Sequence, residues 1–489
     1  MARPLVLIHG YSAEGRDFQN LKQALVSSGI ESNDINICNY ISLNNEITIK
    51  DIAEGLDRAF RMHQVFGNET QEFDALVHST GMLVLRAWLA NAGPPAGNLR
   101  LKRLKHLVGV APATWGSPQA HKGRTWLGAM VKGNKHPGPD FLNAGDRVLE
   151  GLELGSEFTW DLAHLDLLGP EPFYDKGLNT PYVAVFIGNT PYEGVASAAN
   201  DPGTDGTVRW AGCSLNTRKI TMDLTRIPVD NASRLTITPW AAGRLDIPMI
   251  AVDGRNHGSL ISDPEPGMVD LIAAFLKVGD AGGESADAWL ARAQQYSQAA
   301  LPKMKINPGA AAAGLGGDVK NFFGHILGHG LGTGMEGWQQ FVVHARDERG
   351  DGIQDYLIEV LTGQDGDWTT FHEMYTDVHP YGPDPSYRCF HLRLPAGITG
   401  DGVKLRVRIN ASTGTELIAY QGYGSEAGRQ LGATAEPVEI DLEDLGNGNG
   451  SLFHPFTTTL IEIVLNREPL PLDKVSRILT FLEETEDSD

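Results

Sequence analysis

The stretch Asp74-Ala75-Leu76-Val77-His78-Ser79-Thr80-Gly81, continuing Met82-Leu83-Val84-Leu85-Arg86-Ala87-Trp88-Leu89, decides the fold. Its first half is a short apolar run suited to a buried strand. Its second half places apolar residues at helical spacing. Ser79 stands at the junction, with Gly81 just beyond it. A serine on a sharp strand-to-helix turn has its hydroxyl pushed out above the sheet, which is the arrangement of a nucleophile elbow. The N–H of Thr80 then lies at a helix N-terminus, where unsatisfied backbone donors stabilise an oxyanion. Val77 stands where the elbow pattern ordinarily has glycine.

The chain opens with Leu5-Val6-Leu7-Ile8-His9-Gly10-Tyr11, an apolar run ended by a glycine turn, as a buried parallel strand requires. Two later segments add to this. Ala111-Pro112-Ala113-Thr114-Trp115-Gly116-Ser117-Pro118 follows the apolar strand Leu107-Val108-Gly109-Val110, and Asp205-Gly206-Thr207-Val208 forms a tight turn. With His78 before Ser79, Gly81 after it and Arg86 on the helix, the first 280 or so residues, apart from the cap region, resemble the α/β-hydrolase lipases and esterases. The segment 112–118 is similar to the Pro-x-x-Gly-Ser-Pro turn of many lipases. The segment 205–208 is similar to the Asp-Gly-x-Val turn that holds the triad acid in several lipase families. The resemblance implies that the loop after the first strand donates a second oxyanion N–H, from Tyr11 or, less readily, Ser12. It does not reach the C-terminal part.

A serine hydroxyl is a poor nucleophile until a base takes its proton, and an acid must orient that base. In this fold the order along the chain is serine, acid, histidine. Pro248-Met249-Ile250-Ala251-Val252 reads as the last strand, and the loop after it carries His257. His257 is the expected base. Tyr182-Val183-Ala184-Val185-Phe186-Ile187-Gly188 reads as the preceding strand, and its loop carries Asp201 and Asp205. Asp205 is the expected acid because Gly206 permits a tight turn, with Asp201 as the second choice. Asp253 is read as a strand-end residue. His78 faces away from Ser79 on a strand, so it is read as a buried structural histidine. Cys38, Cys213 and Cys389 carry no motif.

The fold class expected is an α/β-hydrolase fold, a mostly parallel sheet flanked by helices with a helical cap insertion, plus a C-terminal antiparallel β-sandwich. Residues 1–279 are assigned to the hydrolase, with the cap at about 119–180. Residues 280–335 are a helical and Gly/Ala-rich linker, and 336–489 the sandwich with an acidic tail. Helical pieces are expected at 126–131, 146–154 and 158–168. Trp126, Met130, Phe158, Trp160 and Leu165 either line an acyl pocket or form the cap's own core. In the linker, the Gly/Ala-rich stretch 302–334, with 321–327 in its middle, is either a flexible linker packed over the cleft or an interfacial segment for lipid. His325 and His329 have metal-ligand spacing but no third ligand. From Trp338 onward, runs such as 341–346, 356–361, 388–394, 403–409 and 460–465 alternate apolar and polar residues between Gly/Asp/Pro turns. That region shows no triad and no metal cluster, and packing, oligomerisation and substrate-surface binding are open to it.

The chain has 489 residues, three cysteines and a formal charge of −21. The charge argues against nucleic acid or an anionic membrane as the main partner. No run of eighteen apolar residues exists, so no transmembrane segment is expected. The first strand begins at once, which leaves no room for a signal peptide, so the expected compartment is the cytoplasm, or the exterior with a leader absent from this chain.

Together these readings imply a carboxylic ester hydrolase (esterase or lipase) with Ser79, Asp205 and His257 as catalytic residues and Tyr11 and Thr80 as oxyanion donors. No cofactor or metal is implied. The substrate is a small-molecule or lipid ester. The same triad would serve an amidase, thioesterase or acyltransferase. Val77 favours a different class, an inactive scaffold with a binding sandwich.

Overall fold

The computed structural model describes residues 3–11, 13–64, 66–123, 145–174, 179–193, 197, 200–226, 234–239, 246–305, 335–364, 367–370, 375–398, 404–423, 437–442, 452–469 and 478–479. Several expectations lie outside the described residues: Ser12, the helix at 126–131 with Trp126 and Met130, the Gly/Ala-rich stretch with His325 and His329, and the acidic tail.

A parallel sheet forms the centre of the hydrolase part. Its strands are β1 (Leu5–Ile8), β2 (Ile35–Cys38), β3 (Phe73–His78), β4 (Leu104–Val110) and β5 (Tyr182–Gly188). Two strands, β6 (Thr217–Asp223) and β7 (Leu235–Pro239), then leave for another sheet, and β8 (Met249–Val252) returns to the first. The order is β2-β1-β3-β4-β5-β8, every pair parallel.

These strands are apolar on both faces because both faces are covered. Val6, Ile8, Ala75, Val77, Leu107 and Val185 pack into one core cluster. Their neighbours Leu5, Leu7, Leu76, Val108, Ala184 and Phe186 pack into the other. This is the two-residue period of a strand read out as two cores. Each fully buried aliphatic side chain contributes about 1.5–3 kcal/mol.

Helix α1 (Gln19–Ser27) buries Leu21 and Leu25 on one face, beside Met268, Leu271 and Ile272 of the helix Pro266–Phe275. Helix α2 (Ile49–Met62) covers the other face with Ile49, Ile52, Ala53, Leu56 and Phe60, the spacing of an amphipathic stripe. It starts at Thr48, whose hydroxyl accepts from the Asp51 N–H at 3.1 Å while Asp51 accepts from the Thr48 N–H at 2.9 Å. That is a capping box, which satisfies two orphan donors. Helix α3 (Gly81–Ala90) is buried along its whole length. Its one charged residue, Arg86, meets Asp166 at 2.8 and 2.9 Å, Asp166 also accepts from the Tyr174 hydroxyl at 2.8 Å, and Arg86 reaches the Thr114 carbonyl at 2.8 Å. This buried network ties α3 to the cap helix Glu157–Asp166 and to the loop after β4.

The C-terminal part is two facing sheets. One has the order β11-β10-β14-β16, from β10 (Asp355–Gln364), β11 (Asp367–Thr370), β14 (Lys404–Ser412) and β16 (Val438–Asp441). The other has β12 (Tyr375–Pro380), β13 (Tyr387–Pro395), β9 (Met335–Asp347), β17 (Thr458–Pro469), β6 and β7 in that order, with β15 (Ile418–Gln421) also on β17. Phe341, Val343, Phe390 and Ile461 from one sheet and Ile358, Val360, Val407 and Ile409 from the other share a core. On β14 the intervening Arg406 and Arg408 pair outside with Glu439 and Asp441.

Pairing within the first of these sheets is antiparallel, but β17 runs parallel to both β9 and β6. The hairpin β6–β7, numbered within the hydrolase stretch, therefore completes the second sheet of the C-terminal part. Apolar content alone does not separate it from a hydrolase strand, because the alternation in Thr217–Asp223 fits either sheet.

Trp160, one of the cap aromatics, packs against the C-terminal part. The Trp160 ring stands 5.5 Å from His344, 5.8 Å from Tyr387 and 5.4 Å from the Lys219 ammonium, all on β9, β13 and β6. Trp160 thus packs the cap helix Glu157–Asp166 on the second C-terminal sheet, and Leu165 is 58% exposed. A long-range partner decides Trp160, and local spacing carries no record of it.

Candidate active site

Parallel strands point their C-terminal ends to one edge, where open α/β sheets gather functional loops. Ser79 follows β3, the Asp205 turn follows β5 and the His257 loop follows β8. These three residues are all buried.

Ser79 has φ of +54°, a left-handed conformation that non-glycine residues rarely adopt. Three hydrogen bonds hold it there. Its N–H donates to the Val110 carbonyl at 3.3 Å, and its carbonyl accepts from Ala113 at 3.0 Å and Met82 at 3.2 Å. Gly81 is required by contact: a Cβ there would lie 2.6 Å from the Ile8 carbonyl oxygen and 2.9 Å from that of His9. Gly10 is required likewise, since its Cβ would lie 2.7 Å from Ser79 Cβ and 3.2 Å from Ser79 Oγ. The loop after β1 therefore sits directly against the serine. Val77 is fully buried in the core cluster with Ile8 and does not prevent the turn.

Thr80 is the N-cap of α3 and is fully buried, and its hydroxyl has no hydrogen-bond partner. The first N–H groups of a helix have no intrahelical acceptor, so this end of α3 is electropositive. Tyr11 follows Gly10 on the facing loop and is half-buried, and burial pushes its phenol up to about 12.

Asp205 and His257 are hydrogen-bonded to each other. His257 Nδ1 lies 2.9 Å from Asp205 Oδ2, and the His257 N–H donates to the Asp205 carbonyl at 3.0 Å. The other carboxylate oxygen accepts from the backbone N–H groups of Thr207 at 3.0 Å and Val208 at 2.8 Å. Both Asp205 oxygens are thus committed, and Nδ1 of a neutral His257 carries the proton. That tautomer leaves Nε2 as an acceptor. Of the two aspartates considered after β5, Asp205 is the one bonded to His257, and Asp201 accepts from Thr204 Oγ1 at its own carbonyl. Asp253 is exposed and faces Lys303 and Asn189.

Several supports could not be read from the sequence. His78 Nε2 donates to the His257 carbonyl at 3.1 Å, and the two rings are 4.6 Å apart. His78, expected to be a buried structural histidine, therefore links the Ser79 turn to the His257 loop. Burial, then the charge of His257, brings His78 down to about 3, so it stays neutral beside its neighbour. Ser117 Oγ donates to the Thr207 carbonyl at 2.6 Å, and Trp115 Nε1 donates to the Ser214 carbonyl at 3.0 Å. The 112–118 turn thus packs on the segment after the acid. Gly206 has φ of +98°, and a Cβ there would lie 2.5 Å from the Tyr192 ring. Gly188 lets the base loop approach β5, since a Cβ would lie 2.1 Å from the Arg255 carbonyl oxygen. The sequence signal for the first was the glycine directly after Asp205, and Gly188 gave none beyond ending β5.

No family model and no curated protein sequence matches this chain. Among solved structures it is similar to phospholipase PlaB from Legionella pneumophila, with a TM-score of 0.69 and 19% identity over 99% of this chain and 98% of that one. The same phospholipase in complex with thio-NAD gives a TM-score of 0.70 at 20% identity, over the same shares of the two chains. The mature form of lipase BlEst2 from Bacillus licheniformis covers 53% of this chain and 87% of its own at 14% identity, with a TM-score of 0.32. The likeness to PlaB is one of fold, and it extends through both the parallel sheet and the C-terminal sheets.

Proposed function

We propose, from the premise that this chain has an α/β-hydrolase fold, that it is a serine hydrolase of carboxylic esters. The observation that supports the reading is a serine on a positive-φ turn and a buried, hydrogen-bonded His257–Asp205 pair, on loops that leave the same edge of the parallel sheet.

In this reading Ser79 Oγ attacks the acyl carbonyl while His257 Nε2 takes its proton. Asp205 holds the tautomer and stabilises the imidazolium. The N–H groups of Thr80 and Tyr11 donate hydrogen bonds to the developing oxyanion, the contribution that is usually largest in such sites. His257 then protonates the leaving alcohol. Water, activated by the same base, releases the acyl group and restores Ser79. The Ser79 backbone strain is consistent with a functional position, since such strain persists only where the surroundings over-determine it.

The substrate proposed is a lipophilic ester. PlaB is named a phospholipase, which makes a phospholipid the first natural substrate to try. No described helix is long and apolar enough to cross a membrane. The test compares p-nitrophenyl butyrate, p-nitrophenyl palmitate and phospholipid vesicles. Turnover of any of the three supports ester hydrolysis, and the preferred chain length separates esterase from lipase. Inert protein on all three, with amide or thioester turnover instead, overturns the ester assignment.

A further inference from the structure

Glu153, His121 and His379 meet where the hydrolase touches the C-terminal sheets. Glu153 ends the helix Asp146–Leu152 and is 3% exposed. His121 lies on the helix Pro118–Gly123, and His379 on β12. Glu153 Oε1 is 2.9 Å from His379 Nε2 and 3.3 Å from His121 Nδ1, and it accepts from the Gly382 N–H at 3.0 Å. The two imidazoles are 4.9 Å apart at 73°. One donor atom from each of the three side chains falls within 4.8 Å of the others.

We propose that these three side chains form a binding site for a divalent transition-metal ion of the Zn²⁺ class. Two imidazole nitrogens and one carboxylate oxygen are the donor set such ions take, and hard cations such as Mg²⁺ prefer all-oxygen sites. Zinc bonds of about 2.0–2.1 Å in a tetrahedron place ligand atoms about 3.3–3.4 Å apart. The two carboxylate–imidazole distances here are 2.9 and 3.3 Å, within tenths of an ångström of that value, and all three donor atoms lie within 4.8 Å of one another. The Gly382 N–H fixes the orientation of the Glu153 carboxylate, as a partner behind a metal ligand does. His121 is 61% exposed at its side chain and leaves an entry path from solvent.

The ion would fasten three separate segments. On β12, Asp377 lies on the same face as His379 and pairs with Arg209, four residues after the acid Asp205. The Ser117 N–H donates to the Leu152 carbonyl at 2.8 Å, and Ser117 Oγ reaches the Thr207 carbonyl. Metal binding here therefore braces the acid turn from both sides and takes no part in the chemistry. The sequence could not reveal it: the three residues are distant along the chain and share no spacing motif.

The test is titration of EDTA-stripped, full-length protein with Zn²⁺ by chelator competition, together with thermal unfolding. One equivalent should bind and raise the unfolding midpoint, because the ion binds the folded chain alone. His379→Ala and His121→Ala should each weaken binding at least about tenfold, the least that losing even an outer partner costs. His121→Ala removes an exposed side chain and keeps the test valid if His379→Ala folds poorly. No binding at a hundredfold excess of Zn²⁺, wild-type affinity in His121→Ala, or an equal midpoint rise with Mg²⁺ would each overturn the proposal.

Discussion

Gly10 sets how closely the loop after β1 approaches the serine, so Gly10→Ala tests whether that contact governs catalysis. The new Cβ would stand 2.7 Å from Ser79 Cβ, about 0.7 Å inside ordinary contact, which begins near 3.4 Å. Neither side gives way easily. Ser79 is held at both its N–H and its carbonyl. The loop is held by the His9 ring, whose Nδ1 donates to the Gly10 carbonyl at 2.7 Å and which stacks on Tyr40 at 4.1 Å. Gly81 already touches the Ile8 and His9 carbonyls, so the end of β1 has no room on that side. The displacement falls on Ser79 Oγ and on the Tyr11 N–H. A misplacement near 1 Å at a reacting group costs on the order of 10²-fold in rate. Overpacking adds about 1–3 kcal/mol of destabilisation. The assay is kcat/KM on p-nitrophenyl butyrate beside the rate of fluorophosphonate labelling, with the urea midpoint as the folding control. Both rates should fall about a hundredfold in a folded variant. A folded Gly10→Ala protein with wild-type rates would refute the reasoning.

Three further outcomes are expected. Asp205→Asn keeps a hydrogen bond to His257 but favours the wrong tautomer, so kcat should drop by about 10⁴-fold with little change in KM, and steady-state kinetics on the same ester check it. Asp166→Asn leaves the buried Arg86 without its counter-charge, and urea unfolding should register a loss of about 3–5 kcal/mol; a loss under about 1 kcal/mol would remove this pair as a tether of α3. Burial lowers His78 to about 3 and His344 to about 4 from 6.5, and takes His391 well below its ordinary value. The native histidines stay neutral while the unfolded chain binds protons below 6.5, so their contribution is complete above that pH and is lost as pH falls toward 4. The urea midpoint should fall over that window, less so in His344→Phe, and a midpoint that holds steady or rises would contradict the assignment.

Much of the parallel sheet was legible because its information is local. Strand β3, the elbow and α3 follow one another without a gap, and the switch from strand to helical period marks Ser79. The approach of Gly81 to the first strand is also foreshadowed by a residue that tolerates no side chain there. Asp205 and His257 were legible from topology, since each follows a strand that ends at the same edge. The remaining features depend on distant pairing. The place of β6 beside β17 rests on a register, Ile220 against Ile461, between residues far apart in the chain. In the sequence Trp160 is open between an acyl pocket and the cap's own core, and its neighbours His344 and Tyr387 come from strands β9 and β13, far along the chain. His78 was read by its strand face alone, and its bond to the His257 carbonyl appears only once β8 is placed. The outer-face pairs of Arg406 and Arg408 with Glu439 and Asp441 followed the alternation of β14 but needed β16 to name the partners.

The central claim is that Ser79 is the nucleophile. It is tested most directly by comparing wild-type and Ser79→Ala protein in fluorophosphonate labelling and p-nitrophenyl ester hydrolysis, after equal urea midpoints show that both are folded. The account predicts one labelled site in the wild type, at Ser79, none in the variant, and a fall in kcat on the order of 10⁴-fold or more. Labelling of the variant, or hydrolysis at the wild-type rate without the Ser79 hydroxyl, would contradict it.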